Sequence, residues 1–184
     1  MTDIHTTFHA FLGCSLDGYI AGPNGELDWL TVFDNTGYDE FFTSVDALAM
    51  GRTTFEVMRE SAPDYYEGMP IHVLSTTLEP GPHPPMGRSR VTVHGDLASL
   101  QKATAKAGDR RVYADGGRTV QALLAAGLLS DLVVTRVPVL LGQGIPLFGP
   151  RPGPRRPQLL ESHTTRDGAV QSVYRFQGIA SMSR

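Results

Sequence analysis

The sequence lacks most features that announce a partner or a compartment. Cys14 is its only cysteine, so no intrachain disulfide and no multi-cysteine zinc site can form, and a reducing compartment suits the chain. A nucleophilic thiol needs a base, and none is identifiable near Cys14; burial at the end of the first strand is the reading that remains. No block of Lys and Arg occurs, and 16 basic against 19 acidic side chains give a net charge of −3. Nucleic acid is therefore not an expected partner. No apolar run approaches the ~20 residues that span a bilayer, and no charged segment leads into an apolar one at the start. The expectation is a soluble cytoplasmic protein with no membrane partner. His5, His9, His72, His83, His94 and His163 show no ligand spacing, so no metal site is expected. Repeats and low-complexity tracts are missing too, and 184 residues fit one domain, 1–184, large enough to bury a sizeable core.

What the chain does contain is a series of short apolar runs that end in glycine or hydroxyl residues. The clearest lies between Arg111 and Leu141. Val112, Tyr113 and Ala114 read as a strand, and Gly116-Gly117 frees the backbone for a tight turn. Thr119 to Ala126 follows as a helix with Val120, Leu123 and Leu124 on one face and Gly127 as its C-cap. Asp131 to Leu141 reads as a second buried strand. A glycine pair between strand and helix places unbonded N–H groups and a positive dipole end where a phosphate can lie. The same dipeptide also serves elsewhere as a plain turn.

The rest of the chain repeats this grammar. Phe8 to Cys14 is a central strand, a turn at Leu16-Asp17-Gly18 leads to Tyr19-Ile20-Ala21, and Gly22-Pro-Asn-Gly25 turns again. Leu27-Asp28-Trp29-Leu30 brings apolar bulk back towards the core as a flap over a pocket. Tyr38 to Val45 is a helix, Ala47 to Met50 a buried strand, and Gly51-Arg52-Thr53-Thr54 opens a helix that carries Phe55 and Met58. Ile71 to Leu74 is a strand that ends at Ser75-Thr76-Thr77. Glu79 to Arg90, with four prolines and two glycines, reads as a loop. Val91 to His94 is a strand, Leu97 to Ala107 a helix ended by Gly108, and Gly142 to Gly149 an apolar loop. Arg151 to Pro157 is rich in proline and arginine. Two strands, Gln158 to Thr165 and Val170 to Gln177, close the chain around Asp167-Gly168.

Strands that alternate with helices predict a three-layer α/β/α domain with a mostly parallel sheet and a C-terminal antiparallel hairpin. Ligands of such sheets gather at the carboxyl ends of the strands, where Gly51-Arg52, Ser75-Thr76 and Gly116-Gly117 all fall. Backbone donors, hydroxyls and an arginine at three strand ends suit an extended ligand with several phosphates, such as a nicotinamide dinucleotide.

Five blocks carry a resemblance: Ser15-Leu-Asp-Gly-Tyr-Ile-Ala21, Asn24-Gly-Glu-Leu-Asp-Trp29, Gly51-Arg-Thr-Thr-Phe-Glu56, Ala114-Asp-Gly-Gly117 and Leu128 to Phe148. In this order they resemble the dihydrofolate reductase superfamily, and most closely stand-alone proteins similar to the reductase domain of bifunctional riboflavin-biosynthesis deaminase-reductases. The fold of that superfamily has no Gly-x-Gly-x-x-Gly fingerprint, and neither has this chain. The resemblance implies NADPH-dependent reduction of a small heterocyclic or pyrimidine-ribosyl substrate, like the 5-amino-6-(5-phosphoribosylamino)uracil reductase. It places Gly13, Ala21 and Trp29 beside the nicotinamide, with Leu27 and Trp29 on the substrate. Gly51, Arg52, Thr53 and Thr54 fall on the pyrophosphate, Ser75 and Thr76 on the adenosine side, and Gly116, Gly117, Arg118 and Thr119 on the central phosphates. Asp115 matches the acidic residue that meets substrate. Asp115 and Asp17 are the catalytic candidates, although Asp17 also reads as a turn residue bonded to its own backbone, and the helix dipole alone favours Asp115. Arg52, with Ser75 and Thr76, reads as the group that prefers a 2′-phosphate, since a guanidinium fork pairs with phosphate.

The sequence also departs from these families. Asp34 and Asp39 compete for the carboxylate that follows the loop tryptophan in dihydrofolate reductases. No His-x-Glu or Pro-Cys-x-x-Cys deaminase signature is present, and no basic cluster for a ribose phosphate is identifiable. A non-catalytic dinucleotide-binding protein and a pterin reductase remain as alternatives. Leu140, Leu141, Ile145, Leu147 and Phe148 sit in a loop too short to bury all of them within one protomer, which predicts a homodimer. The other outcome is a monomer whose C-terminal hairpin, Gln158 to Gln177, covers them.

Overall fold

The computed structural model describes residues 5–149 and 153–176. In chain order the elements are β1 (Thr7–Cys14), β2 (Tyr19–Ala21), α1 (Tyr38–Thr43), β3 (Ala47–Gly51), α2 (Arg52–Ser61), β4 (Ile71–Leu74), β5 (Gly81–Met86), β6 (Ser89–His94), α3 (Leu97–Ala107), β7 (Arg111–Asp115), α4 (Gly117–Ala125), β8 (Leu129–Arg136), β9 (Ile145–Pro146), β10 (Gln158–Thr164) and β11 (Val170–Arg175). Nine strands form one sheet in the order β10-β11-β8-β1-β7-β3-β4-β6-β5. The six from β8 to β6 run parallel. The β10–β11 hairpin adds antiparallel pairs at one edge, as predicted, and β5 adds another at the far edge.

Both faces of the parallel part are covered, which is why its strands read as unbroken apolar runs. Ala47, Leu48, Ala49 and Met50 are all buried completely. Ala47 and Ala49 face α3 and α4, packed with Leu100, Val120 and Leu123. Leu48 and Met50 face the opposite layer with Phe55 of α2 and, from α1, Phe41 and Phe42. Burial of a side chain of this size contributes roughly 1.5–3 kcal/mol, so the two clusters supply most of the driving force for the three layers. α4 ends in a Schellman motif: Leu128 N donates to Leu123 O at 2.8 Å and Gly127 N to Leu124 O at 3.1 Å. Gly127 adopts φ 70, the left-handed conformation that this closure requires.

Four sequence expectations are corrected. The stretch from Glu79 to Arg90 is not a loop: Gly81–Met86 is a strand that pairs with β6. Its prolines carry no N–H, and they are tolerated because an edge strand needs donors on one side only. The apolar loop from Gly142 to Gly149 contains a strand: Ile145–Pro146 pairs with Tyr19–Ala21 in a separate two-stranded ribbon. β8 runs from Leu129 to Arg136 instead of Asp131 to Leu141, since beyond it Val139 O accepts from Leu16 N and Pro138 cannot donate. α4 starts at Gly117, two residues before Thr119. The expected strand end at Gln177 and the residues Arg151 and Pro152 lie outside the described residues.

Candidate functional site

β1, β7, β3 and β4 are neighbours in the sheet, and their carboxyl ends form one shelf. Met50 is in register with Asp115, and Gly51 with Leu74. α2 leaves this shelf directly after Gly51 and α4 directly after Gly116. They rise on opposite faces of the sheet and meet at its rim. A Cβ added to Gly116 would fall 2.4 Å from Thr54 Oγ1, and one added to Gly51 would fall 3.5 Å from Thr119 Oγ1. Gly116 has φ 84 and ψ 142, a region open essentially to glycine alone. Both the contact and the backbone therefore demand glycine there.

Neither helix start has a side-chain cap or an acidic residue in its first turn. A helix leaves four N–H groups unbonded at its start, and these need partners from elsewhere. Thr119 is 2% exposed, yet among the described residues its Oγ1 has no hydrogen-bond partner. A buried hydroxyl without a partner costs about 1–3 kcal/mol. Two sets of free donors and an orphaned hydroxyl thus converge on one spot, which is the chemistry of a polyanion cradle. α3 is the internal contrast: Asp96 accepts from Ser99 N at 2.7 Å, and Ser99 Oγ accepts from Asp96 N at 3.3 Å, so its first turn is closed.

The β2–β9 ribbon lies against the start of α4. A Cβ on Gly117 would meet the Cδ1 end of Ile20, which would have to turn aside to admit it. Gln121 Nε2 donates to Pro146 O at 2.8 Å, and Ala21 is buried in the ribbon. Arg118 and Thr53 are exposed in the first turns. Arg52 lies back along its own helix with Nη1 3.1 Å from Glu56 Oε1. Ser75 Oγ accepts from Thr77 N at 3.2 Å and Leu78 N at 3.1 Å, forming a hydroxyl turn at the end of β4 that leaves Thr76 exposed.

On the other side of the shelf stands Asp115, part of whose surface stays accessible. Tyr66 Oη donates to its Oδ2 at 2.5 Å and Tyr113 Oη approaches Oδ1 at 3.5 Å. Burial pushes the Asp115 carboxyl above the usual carboxylate range, against the opposing pull of the Tyr66 hydrogen bond and the Gly116 N–H. Burial, and after it mainly the Asp115 charge, push the Tyr66 and Tyr113 phenols up, so both remain donors. Tyr38 joins this group from α1, its ring centroid 6.2 Å from that of Tyr113, with Phe41 at 5.1 Å from the same ring.

The flap between Gly22 and Gly37 crosses the end of β1, where Leu30 Cδ1 is 2.5 Å from a Cβ built on Gly13. Trp29 is half-buried, and its indole N–H donates to Glu26 O at 3.1 Å. Leu27 is 47% exposed, so the flap brings Leu30 rather than Leu27 towards the core. Asp34 accepts from Thr36 Oγ1 at 2.6 Å, and Asp39 is exposed in α1. Asp17 stands apart from the Asp115 group. It accepts from Ser15 Oγ at 2.6 Å, Leu141 N at 3.2 Å and Gly142 N at 2.8 Å. The Ser15 bond, followed by those from Gly142 and Leu141, holds its carboxyl low. This is the work of a turn residue that ties the segment after β8 to the β1–β2 turn.

Sequence reasoning missed Tyr66, which lies 49 residues from Asp115 in a stretch with no periodic pattern. Tyr113 had a signal, since alternate residues of a strand share a face with Asp115. Also missed was a buried chain: His72 Nδ1 lies 2.9 Å from His94 Nε2, and His72 Nε2 lies 3.3 Å from Asp109 Oδ2. Among the described residues no group of three or more His, Cys, Asp or Glu is arranged to hold a metal ion. No helix among them is long and apolar enough to cross a membrane.

The model of the RibD C-terminal domain family matches residues 7–171. A crystal structure of a protein assigned to riboflavin biosynthesis, from Shewanella sp. PV-4, is 33% identical, covers 94% of this chain and 99% of its own, and superposes with a TM-score of 0.83. The uncharacterized protein YwjB of Bacillus subtilis is 29% identical over 75% of this chain and 80% of its own length. The Thermotoga maritima diaminohydroxyphosphoribosylaminopyrimidine deaminase/5-amino-6-(5-phosphoribosylamino)uracil reductase shares the fold, with a TM-score of 0.70 at 12% identity. The match covers 94% of this chain and 57% of that one. With a family model over most of its length and a near-complete structural relative, the chain belongs to the RibD C-terminal domain family.

Proposed function

We propose that the chain is an NADPH-dependent reductase that transfers a hydride to a small heterocyclic substrate, in riboflavin biosynthesis or in chemistry closely like it. The observation that carries this reading is the pair of uncapped helix starts with the orphaned Thr119 hydroxyl between them. The residues present fit a dinucleotide: the N–H groups of α2 and α4 and the hydroxyls of Thr53, Thr54 and Thr119 would hold its pyrophosphate, and the turn at Ser75 and Thr76 would border its adenosine. The bound cofactor supplies the hydride. The protein's own part is to seat the substrate between the flap and Asp115 and to keep water from it with Leu30 and the aromatic wall. The raised carboxyl of Asp115 suits orientation of the substrate and a share in its protonation. Its partner Tyr66 holds the carboxyl in place.

Titration of the folded protein with NADPH by isothermal calorimetry tests the first half; no binding would end the reading. NADPH absorbance with a panel of pterins, pyrimidine ribitylamines and small ketones tests the second. Binding with no turnover on any of them would favour a non-catalytic dinucleotide-binding protein. Preference for the phosphorylated cofactor requires Arg52 to exchange Glu56 for the 2′-phosphate. Arg52→Ala then weakens NADPH far more than NADH, and equal losses would contradict that role.

A homodimer is part of the same proposal. Beyond α4 the sheet face over β8 and β11 forms a cleft of about 420 Å³ lined by Leu132, Val134, Tyr174, Leu147 and Phe148 among others. Leu147 is buried within its own protomer, whereas Leu140 is 71% and Leu159 52% exposed. The hairpin thus borders the apolar loop without covering it, and a second copy is the occupant that this apolar strip suits. Light scattering at micromolar concentration checks it: a mass of one chain, unchanged on raising concentration, would rule the pair out.

A further inference from the structure

The flap, residues 22–37, makes nearly all of its hydrogen bonds within itself. Gly22 N donates to Glu26 O, Leu30 N and Thr31 N to Leu27 O, and Phe33 N to Leu30 O. Trp29 Nε1 donates to Glu26 O, Thr31 Oγ1 to Asp28 O and Thr36 Oγ1 to Asp34 Oδ2. A surface segment closed on itself in this way moves as one piece, and only ties to other elements fix its place over the sheet. Among the described residues, two hydrogen bonds join the flap to anything beyond the adjacent α1: Asp34 N donates to Asp167 Oδ2, and Gln171 Nε2 donates to Thr36 O at 3.0 Å. Both partners belong to the C-terminal hairpin, 133 and 135 positions further along the chain.

The two ties differ in kind. Asp167 is exposed in the hairpin turn, where the Thr165 hydroxyl, and after it the Asp34 N–H, hold its carboxyl low. Gln171 is 5% exposed on β11. Its one amide nitrogen carries two hydrogens, and it donates both to Thr36 O and to Thr135 Oγ1, the latter at 2.9 Å. Buried amides are kept where their donors are met, and here the two bonds join the flap to the sheet. Gln171 is in register with Thr135 of β8, and Thr135 with Gly13 of β1. The flap therefore touches one row of the sheet at both ends. Leu30 lies against Gly13, with Cδ1 2.5 Å from a Cβ built there, and Thr36 O is held by Gln171.

Resting on the reductase reading above, we propose that Gln171 is a positioning residue, which through Thr36 O fixes the flap over the carboxyl end of β1, where nicotinamide and substrate would meet. Asp167 is the second and weaker tie. Gln171 touches neither ligand and acts through the segment that carries Trp29 and Leu30. The C-terminal hairpin thereby reaches the opposite end of the chain and sets the height of the cover over the shelf.

The test is hydrogen exchange on the full chain, read separately for the flap amides at 30–33 and for β3. Gln171→Met keeps the volume and removes the donors. Exchange of the flap is expected to rise about 5-fold, the factor carried by one net hydrogen bond, with β3 unchanged. Emission of Trp29, the only tryptophan, should shift to the red and become more open to acrylamide. Ser162→Ala removes the Ser162–Ser172 hydroxyl pair of the same hairpin and should leave the flap as it was. Should Gln171→Met fail to fold, Asp167→Ala at its exposed position carries the test, with a smaller rise expected. An unchanged flap, an equal rise in flap and β3, or the same rise in Ser162→Ala would overturn the proposal. The wild-type protein is then saturated with NADPH, which should slow exchange of the flap. NADPH bound with flap exchange unaltered would also overturn the positioning role. Failure of NADPH to bind at all removes the reductase reading instead, and the tie between hairpin and flap is still decided on the free protein.

Discussion

α2 and α4 follow the same strand-to-helix grammar as α3, yet they end it differently. β6 passes through Gly95 to Asp96, whose carboxylate closes the first turn of α3, and nearby His94 is locked to His72 and Asp109 in a buried chain. β3 and β7 pass into helices through glycines that close nothing, and beside them a buried threonine hydroxyl is left over. The α3 region spends its polar groups on stability, and the α2/α4 region holds them in reserve. Glycine in place of a capping side chain costs only about a few tenths of a kcal/mol, so most of the stability forgone at the proposed cofactor cradle belongs to the orphaned hydroxyl, about 1–3 kcal/mol.

The strongest way to break the contrast is to give α2 the cap that α3 has. In Gly51→Asp a Cβ is accommodated at φ −78 with its nearest neighbour at 3.5 Å, and the carboxylate occupies the donors proposed to hold phosphate. Thermal stability is expected to hold or rise while NADPH affinity falls at least ~1,000-fold, about 4 kcal/mol, by calorimetry. The second effect belongs to the α3 region and to pH. Burial, with the neighbouring His72, pulls the imidazolium of His94 down to about 4 from 6.5. The folded state therefore resists protonating it, and the associated stability is present above pH 6.5 and lost as pH falls towards 4. In urea melts His94→Asn should shrink that acid loss by on the order of 3 kcal/mol at most; an unchanged slope would assign the acid sensitivity to His9, whose imidazolium burial, with Arg111, also pulls down to about 4.

Thr119→Val sharpens the comparison from the other direction. It removes a hydroxyl with no partner among the described residues, so stability should stay level or rise by about 1 kcal/mol, while NADPH affinity drops ~5–10-fold. A loss of stability without a loss of affinity would mean that the hydroxyl serves the fold. Asp96→Ala is the mirror image and the smallest effect. Opening the α3 cap should cost about 1 kcal/mol in thermal melts and leave NADPH affinity within about twofold.

The contrast also shows which parts were legible in the sequence. Buried strands such as Ala47–Met50 declared themselves because a strand covered on both faces has no polar alternation to blur it. The strand-to-helix junctions were legible because glycine between strand and helix is a local signal, and at Gly116 the backbone itself, at φ 84, calls for glycine. β5 was misread because proline counts as a loop signal until one knows that the strand lies at an edge, which is a property of the whole sheet. Tyr66 and the His72–His94–Asp109 chain could not be read, since each contact joins residues that no period or spacing links. Asp17 was legible as a turn residue and not as a catalyst, because its type suits both and only its partners decide.

The prolines of β5 carry a consequence for how copies of the protein meet. At positions 82, 84 and 85 that rim of the sheet has no N–H to offer, so a further strand from another molecule finds little to bond to there. At the opposite rim β10 is exposed along its whole length and, among the described residues, has no strand beyond it. A sheet with two open rims can add molecules without end and grow into fibres, whereas a sheet sealed at one rim stops once its open rim is matched. The awkward proline-rich strand is thus a barrier to runaway polymerisation. Its loss, by replacement of those prolines with β-formers such as threonine, would be felt in solubility long before it was felt in catalysis.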